Sequence, residues 1–296
     1  MELAIERIEG ADPHADILFL HGILGRGANL RTLAKRFVAA CPGWSAVLVD
    51  LRGHGASKLE GGPGGSADEP ATLAQCARDV AGVALRSTRP VGAVLGHSFG
   101  GKVALELARH GDEARAVSGR RFVIVDSLPG PRESARGSET TLEVLELLAA
   151  LPGPFPTRQA FVAALRERGL AQGIAEWLGT SLRKDEDGFR FGVDLGLVRA
   201  LLDDYFTTDL WPVVAAPAHD ARMHLVVGDR STVFDDAARE HARALAASAP
   251  AGHVTLDVVP AGHWVHVDAP DALLEVLVRR LGPANAARAD DGETAR

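Results

Sequence analysis

Ser98 lies in Gly96-His97-Ser98-Phe99-Gly100, the spacing G-x-S-x-G. The apolar run before it, Val91 to Leu95, is short enough for a buried strand. A helical pattern carrying Val103, Leu105 and Leu107 follows directly. Strand, tight turn and helix would lift the serine to the apex of a strained turn. Gly96 and Gly100 have no side chain to collide with the adjoining elements. Ser98 Oγ would then stand beside a helix N-terminus, which favours developing negative charge. The alternative is an ordinary Gly/Ser turn.

A nucleophilic serine needs a base that takes its proton and returns it to the leaving group. His263 follows a predicted strand late in the chain, in Gly262-His263-Trp264. His266 is the alternative base, and His54 and His97 read as loop-packing groups. Two carboxylates end predicted strands where they could orient such a base. Asp126 closes the run 121–125, and Asp229 follows the run 224–227.

The elements that must position these residues alternate. Buried strands are predicted at 17–20, 46–49, 91–95, 121–125 and 224–227, with a last strand at 254–258 and an edge strand at 3–8. Helices are predicted after them: one N-capped by Asn29, one over 72–86, then 100–109, 233–247 and 270–281. Alternation of this kind implies right-handed crossovers and a mainly parallel twisted sheet flanked by helices, an α/β fold. The rhythm breaks at about 132. Amphipathic stretches near 138–151, 157–168, 171–182 and 193–206 lack buried strands between them, and Lys184 to Gly188 reads as a hairpin tip. The expected division is a core of 1–131 and 213–282, a helical cap of 132–212 over the sheet's carboxyl edge, and a disordered tail of 283–296. Residues 60–70 read as a mobile Gly/Pro-rich loop.

A chain of 296 residues with 46% hydrophobic content can bury a sizeable core. Its net charge of −7 and lack of a basic stripe argue against nucleic acid as a partner. Two cysteines, Cys41 and Cys76, without a CxxC, give no support to a metal or disulfide role. The N-terminus lacks a basic-then-apolar signal pattern, and no apolar run approaches the roughly 20 residues of a membrane span. A cytoplasmic protein is expected.

Four segments carry a resemblance: Leu-His-Gly-Ile-Leu-Gly (20–25), Asp-Leu-Arg-Gly-His-Gly-Ala-Ser (50–57), Gly-His-Ser-Phe-Gly-Gly-Lys (96–102) and Gly-His-Trp-Val-His (262–266). In this order they resemble the α/β-hydrolase family, and more narrowly small bacterial serine esterases and their mitochondrial abhydrolase relatives. The longer glycine-rich loop at 60–70 departs from that narrower pattern. The resemblance implies an α/β-hydrolase fold with an inserted helical cap, and a Ser–acid–His order along the chain. It implies the backbone N–H groups of Ile23 and Phe99 as an oxyanion hole. The family's usual acid position, about three residues past Gly228, holds Ser231. Asp126 sits at the earlier strand that the small esterases use and is preferred, with Asp229 as the alternative.

The expected activity is a serine hydrolase cleaving small-molecule carboxylic esters or thioesters through an acyl-enzyme, with Ser98, Asp126 and His263 catalytic and no cofactor or metal. Leu24 and Trp264 are expected to bind substrate. Leu145, Leu148, Phe161, Trp177 and Trp211 are candidates for an apolar acyl wall or for the cap's own core. The rival readings are a C–C bond hydrolase or lyase with the same triad, and a non-catalytic hydrolase-like binding protein.

Overall fold

The computed structural model describes residues 1–57, 70–110, 116–132, 139–151, 153–250 and 252–282. Most of the glycine-rich loop (60–69) and the tail 283–296 lie outside these residues.

The core is a seven-stranded sheet. Its strands are β1 (Ile5–Ile8), β2 (Ala15–Leu20), β3 (Trp44–Val49), β4 (Val91–His97), β5 (Val117–Val125), β8 (Arg222–Gly228) and β9 (Val254–Val259). They run in the order β1-β3-β2-β4-β5-β8-β9. Only β1 is antiparallel to its neighbour, β3; the other pairs are parallel. Every residue of β2, β3 and β4 is buried, as their continuous apolar runs require of strands covered on both faces.

Helices α1 (Arg31–Ala40) and α10 (Pro270–Leu281) cover one face through Leu33, Phe37, Leu273 and Leu277. Helices α2 (Leu73–Arg86), α3 (Phe99–Arg109) and α9 (Asp236–Ser248) cover the other, where Val80, Val103, Leu107 and Ala242 are buried. Asn29 differs from expectation. It belongs to a short 3-10 turn over 27–30, where its Oδ1 accepts from Arg26 N at 2.7 Å, and Leu30 stands at the start of α1.

Between β5 and β8 lie α4 (Glu139–Ala149), α5 (Arg158–Glu167), α6 (Gln172–Gly179), the hairpin β6 (Leu182–Asp185)–β7 (Gly188–Phe191), α7 (Leu195–Thr207) and the short α8 (Trp211–Ala215). Leu145, Leu148, Phe161, Leu165, Leu178 and Leu202 form a separate apolar cluster there, which reaches down to Leu24 of the core. Helix α7 is tied to the core twice. Asp204 Oδ2 accepts from Leu73 N at the start of α2, at 2.7 Å. Lys102 Nζ, on α3, donates to the carbonyls of Tyr205 and Thr208 at 2.6 and 2.8 Å. A lysine at a helix's free carbonyls matches their partial negative charge. Burial pushes the Lys102 ammonium down to about 7.

Candidate active site

The chain leaves β2 for β3 on one side and returns to β4 on the other, so strand order switches between β2 and β4. In open α/β sheets the crevice outside the strands' carboxyl ends at such a switch is where ligands bind. Here it receives the loop 21–25 from β2 and the turn at Ser98 from β4.

Ser98 has φ 53° and ψ −117°, a conformation a serine adopts only when its surroundings impose it. They do. Its N–H donates to Val125 O at 3.0 Å, and α3 starts at the next residue. A Cβ at Gly96 would lie 2.1 Å from Gly100 O, and one at Gly100 would lie 2.5 Å from Leu20 O. The G-x-S-x-G spacing is therefore steric: both positions touch backbone where no side chain fits.

Ser98 Oγ lies 3.1 Å from His263 Nε2. On the other side of the ring, His263 Nδ1 donates to Asp126 Oδ2 at 2.7 Å. Asp126 follows β5 with φ 45°, its N–H bound to Val226 O at 2.8 Å. The carboxylate is wholly buried and meets fixed donors. Ser231 Oγ donates to Oδ2 at 2.5 Å and Gly228 N to Oδ1 at 3.1 Å. Asp229 lies elsewhere. It is exposed, and its carboxylate pairs with Arg230 at 3.2 Å.

His97 packs against the ring of His263, and His266 against that of His97. His97 is buried, and its Nε2 donates to His263 O at 2.9 Å, fixing the backbone of His263. Burial, then the neighbouring His266 and His263, keep His97 well below the ordinary imidazole range, so it stays neutral. His266 packs edge-on against His97, 4.8 Å between centroids, and burial lowers it to about 4.

The loop 21–25 is equally constrained. Leu24 has φ 62°, the left-handed region that a leucine avoids. Its N–H donates to His54 Nε2 at 3.1 Å, and its carbonyl accepts from Ser181 Oγ of the cap at 3.2 Å. His54 Nδ1 donates to Arg52 O and His21 Nδ1 to Gly22 O, both at 2.8 Å. His21 Nε2 accepts from Leu51 N at 3.0 Å. Burial holds His54 at about 4 and His21 at about 3, which leaves both Nε2 atoms free of protons to accept. Ile23 precedes Leu24 on this loop, and Phe99 is the first residue of α3, whose N–H the helix does not use.

A cleft of about 290 Å³ opens on Ser98 and His263. Leu24 and Trp264 line it, as do Ile23 and the cap residues Thr141, Val144, Ile174 and Trp177. Trp177 meets Trp264 edge-on at 4.7 Å. Of the other apolar cap candidates, Leu145, Leu148 and Phe161 belong to the cap's interior. Trp211 packs on Phe234 and His241. Thr232 and Val233, just past Ser231, complete the lining and were not singled out from the sequence. Among the described residues no cluster of His, Cys, Asp and Glu suits a metal ion, and no helix is long and apolar enough to cross a membrane.

A mostly parallel sheet with a serine at the turn after its middle strand, opposite a histidine from the last strand's loop, defines the α/β-hydrolase class of fold. The chain belongs to the alpha/beta hydrolase family, whose sequence model matches residues 17–276. It is similar to the sn-1-specific diacylglycerol lipase ABHD11 of Mus musculus, 27% identical over 95% of this chain and 85% of that protein. It is also similar to Esterase YbfF of Escherichia coli (strain K12), 26% identical over 95% of this chain and 99% of that one. A solved marine microorganism esterase superimposes with a TM-score of 0.76 at 20% identity, over 95% of this chain and 99% of that one.

Proposed function

We propose that this hydrolase is a serine esterase that acts on uncharged carboxylic esters, thioesters included, through an acyl-enzyme. The observation that carries the reading is the continuous relay from Ser98 Oγ through His263 to buried Asp126, ending in an apolar cleft. A binding protein has no need of this relay. The relatives named as a lipase and an esterase support the same class.

In the proposed cycle His263 Nε2 takes the Ser98 proton as Oγ attacks the acyl carbonyl carbon. The carbonyl oxygen becomes an oxyanion, held by the N–H groups of Ile23 and Phe99. Asp126 stays ionised and stabilises the imidazolium. The intermediate collapses, the carbon–oxygen or carbon–sulfur bond to the leaving group breaks, and His263 returns the proton to it. Water then gives His263 a proton and attacks the acyl-serine, and collapse releases the acid and restores Ser98. The only titratable groups that line the cleft, among the described residues, are His97 and His263. With no lysine or arginine there, a substrate carboxylate or phosphate would be desolvated without a partner.

The test is hydrolysis of p-nitrophenyl esters and matched thioesters of graded acyl length, with fluorophosphonate labelling. Ser98→Ala should lower kcat on the order of 10⁶-fold and abolish the label. Labelling of the variant, or more than a tenth of wild-type activity in it, would overturn the reading.

A further inference from the structure

A second and larger cavity, about 580 Å³, lies between the edge of the core and the cap hairpin. It is separated from the catalytic cleft by the backbone of residues 24–27: Leu24 lines the cleft, and Arg26 and Gly27 line this groove. Its size falls within the range of small-molecule sites.

Its charges do not balance. Two carboxylates reach it, and both are already engaged. Glu6 is held by the Arg31 guanidinium, with Nε donating at 2.7 Å, and this hydrogen bond keeps Glu6 below the ordinary carboxylate range. Asp50 accepts from the N–H groups of Gly27 and Ala56, each at 2.7 Å. Three further cations line the groove, Arg26 from the loop after β2 and Arg183 and Lys184 from β6. None of the three has an ion pair among the described residues. Arg183 is also seated: a Cβ at Gly192 would lie 2.7 Å from its Cγ. Between the cations the wall is apolar, formed by Ile5, Leu48 and Leu182.

We propose that this groove binds a small organic phosphate monoester, with the phosphate between Arg26, Arg183 and Lys184 and the organic part against Ile5, Leu48 and Leu182. Four cations against two carboxylates leave the groove with a surplus of two positive charges, more than one added carboxylate supplies, and a phosphate monoester carries about −1.5 to −2 near neutral pH. Two guanidinium forks approaching from separate segments suit the several edges of a tetrahedral anion. The apolar wall has no use in binding a bare ion.

Isothermal titration of the full chain with phenyl phosphate tests this at low salt, read by heat and so independent of any role of Ser98. Expected is saturable one-to-one binding with a Kd on the order of 0.1–1 mM. Inorganic phosphate should bind severalfold more weakly and phenol should give no isotherm. Arg26→Gln and Arg183→Gln should each weaken phenyl phosphate tenfold or more. Arg166→Gln, an exposed charge on α5 away from the groove, should not. Arg183→Lys, which keeps the charge and loses the fork, guards against a folding artefact and should fall between wild type and Arg183→Gln. The proposal fails if wild type shows no saturation, if both glutamine variants bind as wild type does, or if inorganic and phenyl phosphate bind equally. Binding to phosphatidic acid vesicles without binding to phenyl phosphate would also overturn it, in favour of a lipid surface.

Discussion

Ser231 Oγ donates to the same Asp126 oxygen that accepts from His263 Nδ1. Its own oxygen accepts from Val233 N at 3.2 Å, which turns the hydroxyl proton toward the carboxylate. The position where the family usually carries its acid thus supports the carboxylate that the neighbouring strand presents to His263.

That contact orders three variants. Asp126→Asn keeps the shape and loses the charge that stabilises the imidazolium, so kcat should fall on the order of 10²–10⁴-fold. Ser231→Ala removes one of three donors to a buried carboxylate and should lower stability by about 1.5–3 kcal/mol, with a smaller loss of kcat. Asp229→Asn should change little. Steady-state kinetics beside melting temperatures decide it, and a larger effect at Asp229 would move the acid there.

His54 holds the N–H of Leu24 in its left-handed conformation, one residue from Ile23. His54→Ala should let the loop relax and misplace the proposed oxyanion donor. The expected result is a kcat lower by on the order of 10-fold to 10²-fold with KM within about twofold, because the donor acts on charge that develops only in the transition state. His54→Gln, whose side-chain oxygen can still accept, should recover part of the loss. A rise in KM at constant kcat would assign His54 to binding instead.

Four buried histidines and the half-buried His266 give the fold an acid limit. Burial lowers His54, His224 and His266 to about 4 and His21 to about 3, and His97 well below its ordinary value. Below the unfolded value of 6.5 the unfolded chain takes up protons that the fold refuses. Stability is therefore undiminished above pH 6.5 and is lost as pH falls from 6.5 toward 4. Each group contributes up to about 1.4 kcal/mol per pH unit in that window. Calorimetry should show a steep fall in Tm between pH 6.5 and 5, made shallower by His224→Gln, a residue far from the cleft. A flat Tm over that interval would contradict the linkage.

Lys102→Met keeps the apolar stem and leaves the Tyr205 and Thr208 carbonyls without their donor. Unpaired buried acceptors cost about 1–3 kcal/mol, and the loss should be local. Hydrogen exchange should accelerate over the last turn of α7 and over 208–215, ahead of β4 and β5. Uniform acceleration across the sheet would mean that the lysine supports the core and not the cap.

The α/β fold was legible in the sequence because its buried strands are short apolar runs and the helices between them have a clear period. The turn at Ser98 could be read because its glycines answer a local steric demand. The preference for Asp126 over Asp229 rested on the resemblance, since both residues end strands at one edge of the sheet. What separates them is long-range: a Ser231 hydroxyl and a Gly228 N–H aimed at Asp126, against open solvent around Asp229. The cap's helices were visible, but not their orientation. Leu145 and Leu148 share a helix with Thr141 and Val144, and only the packing of α5 and α6 decides which of them turn inward. The grip of His54 on Leu24 joins residues 30 positions apart and left no periodic trace.

Of the four tryptophans, Trp44 is buried at the start of β3 and Trp211 packs on Phe234 and His241. Trp177 and Trp264 meet across the mouth, one ring from the cap and one from the core. Helix α7 is fastened to the core by Lys102 and Asp204. A ligand seated in the cleft touches both indoles. Tryptophan emission therefore offers a dye-free gauge of its arrival.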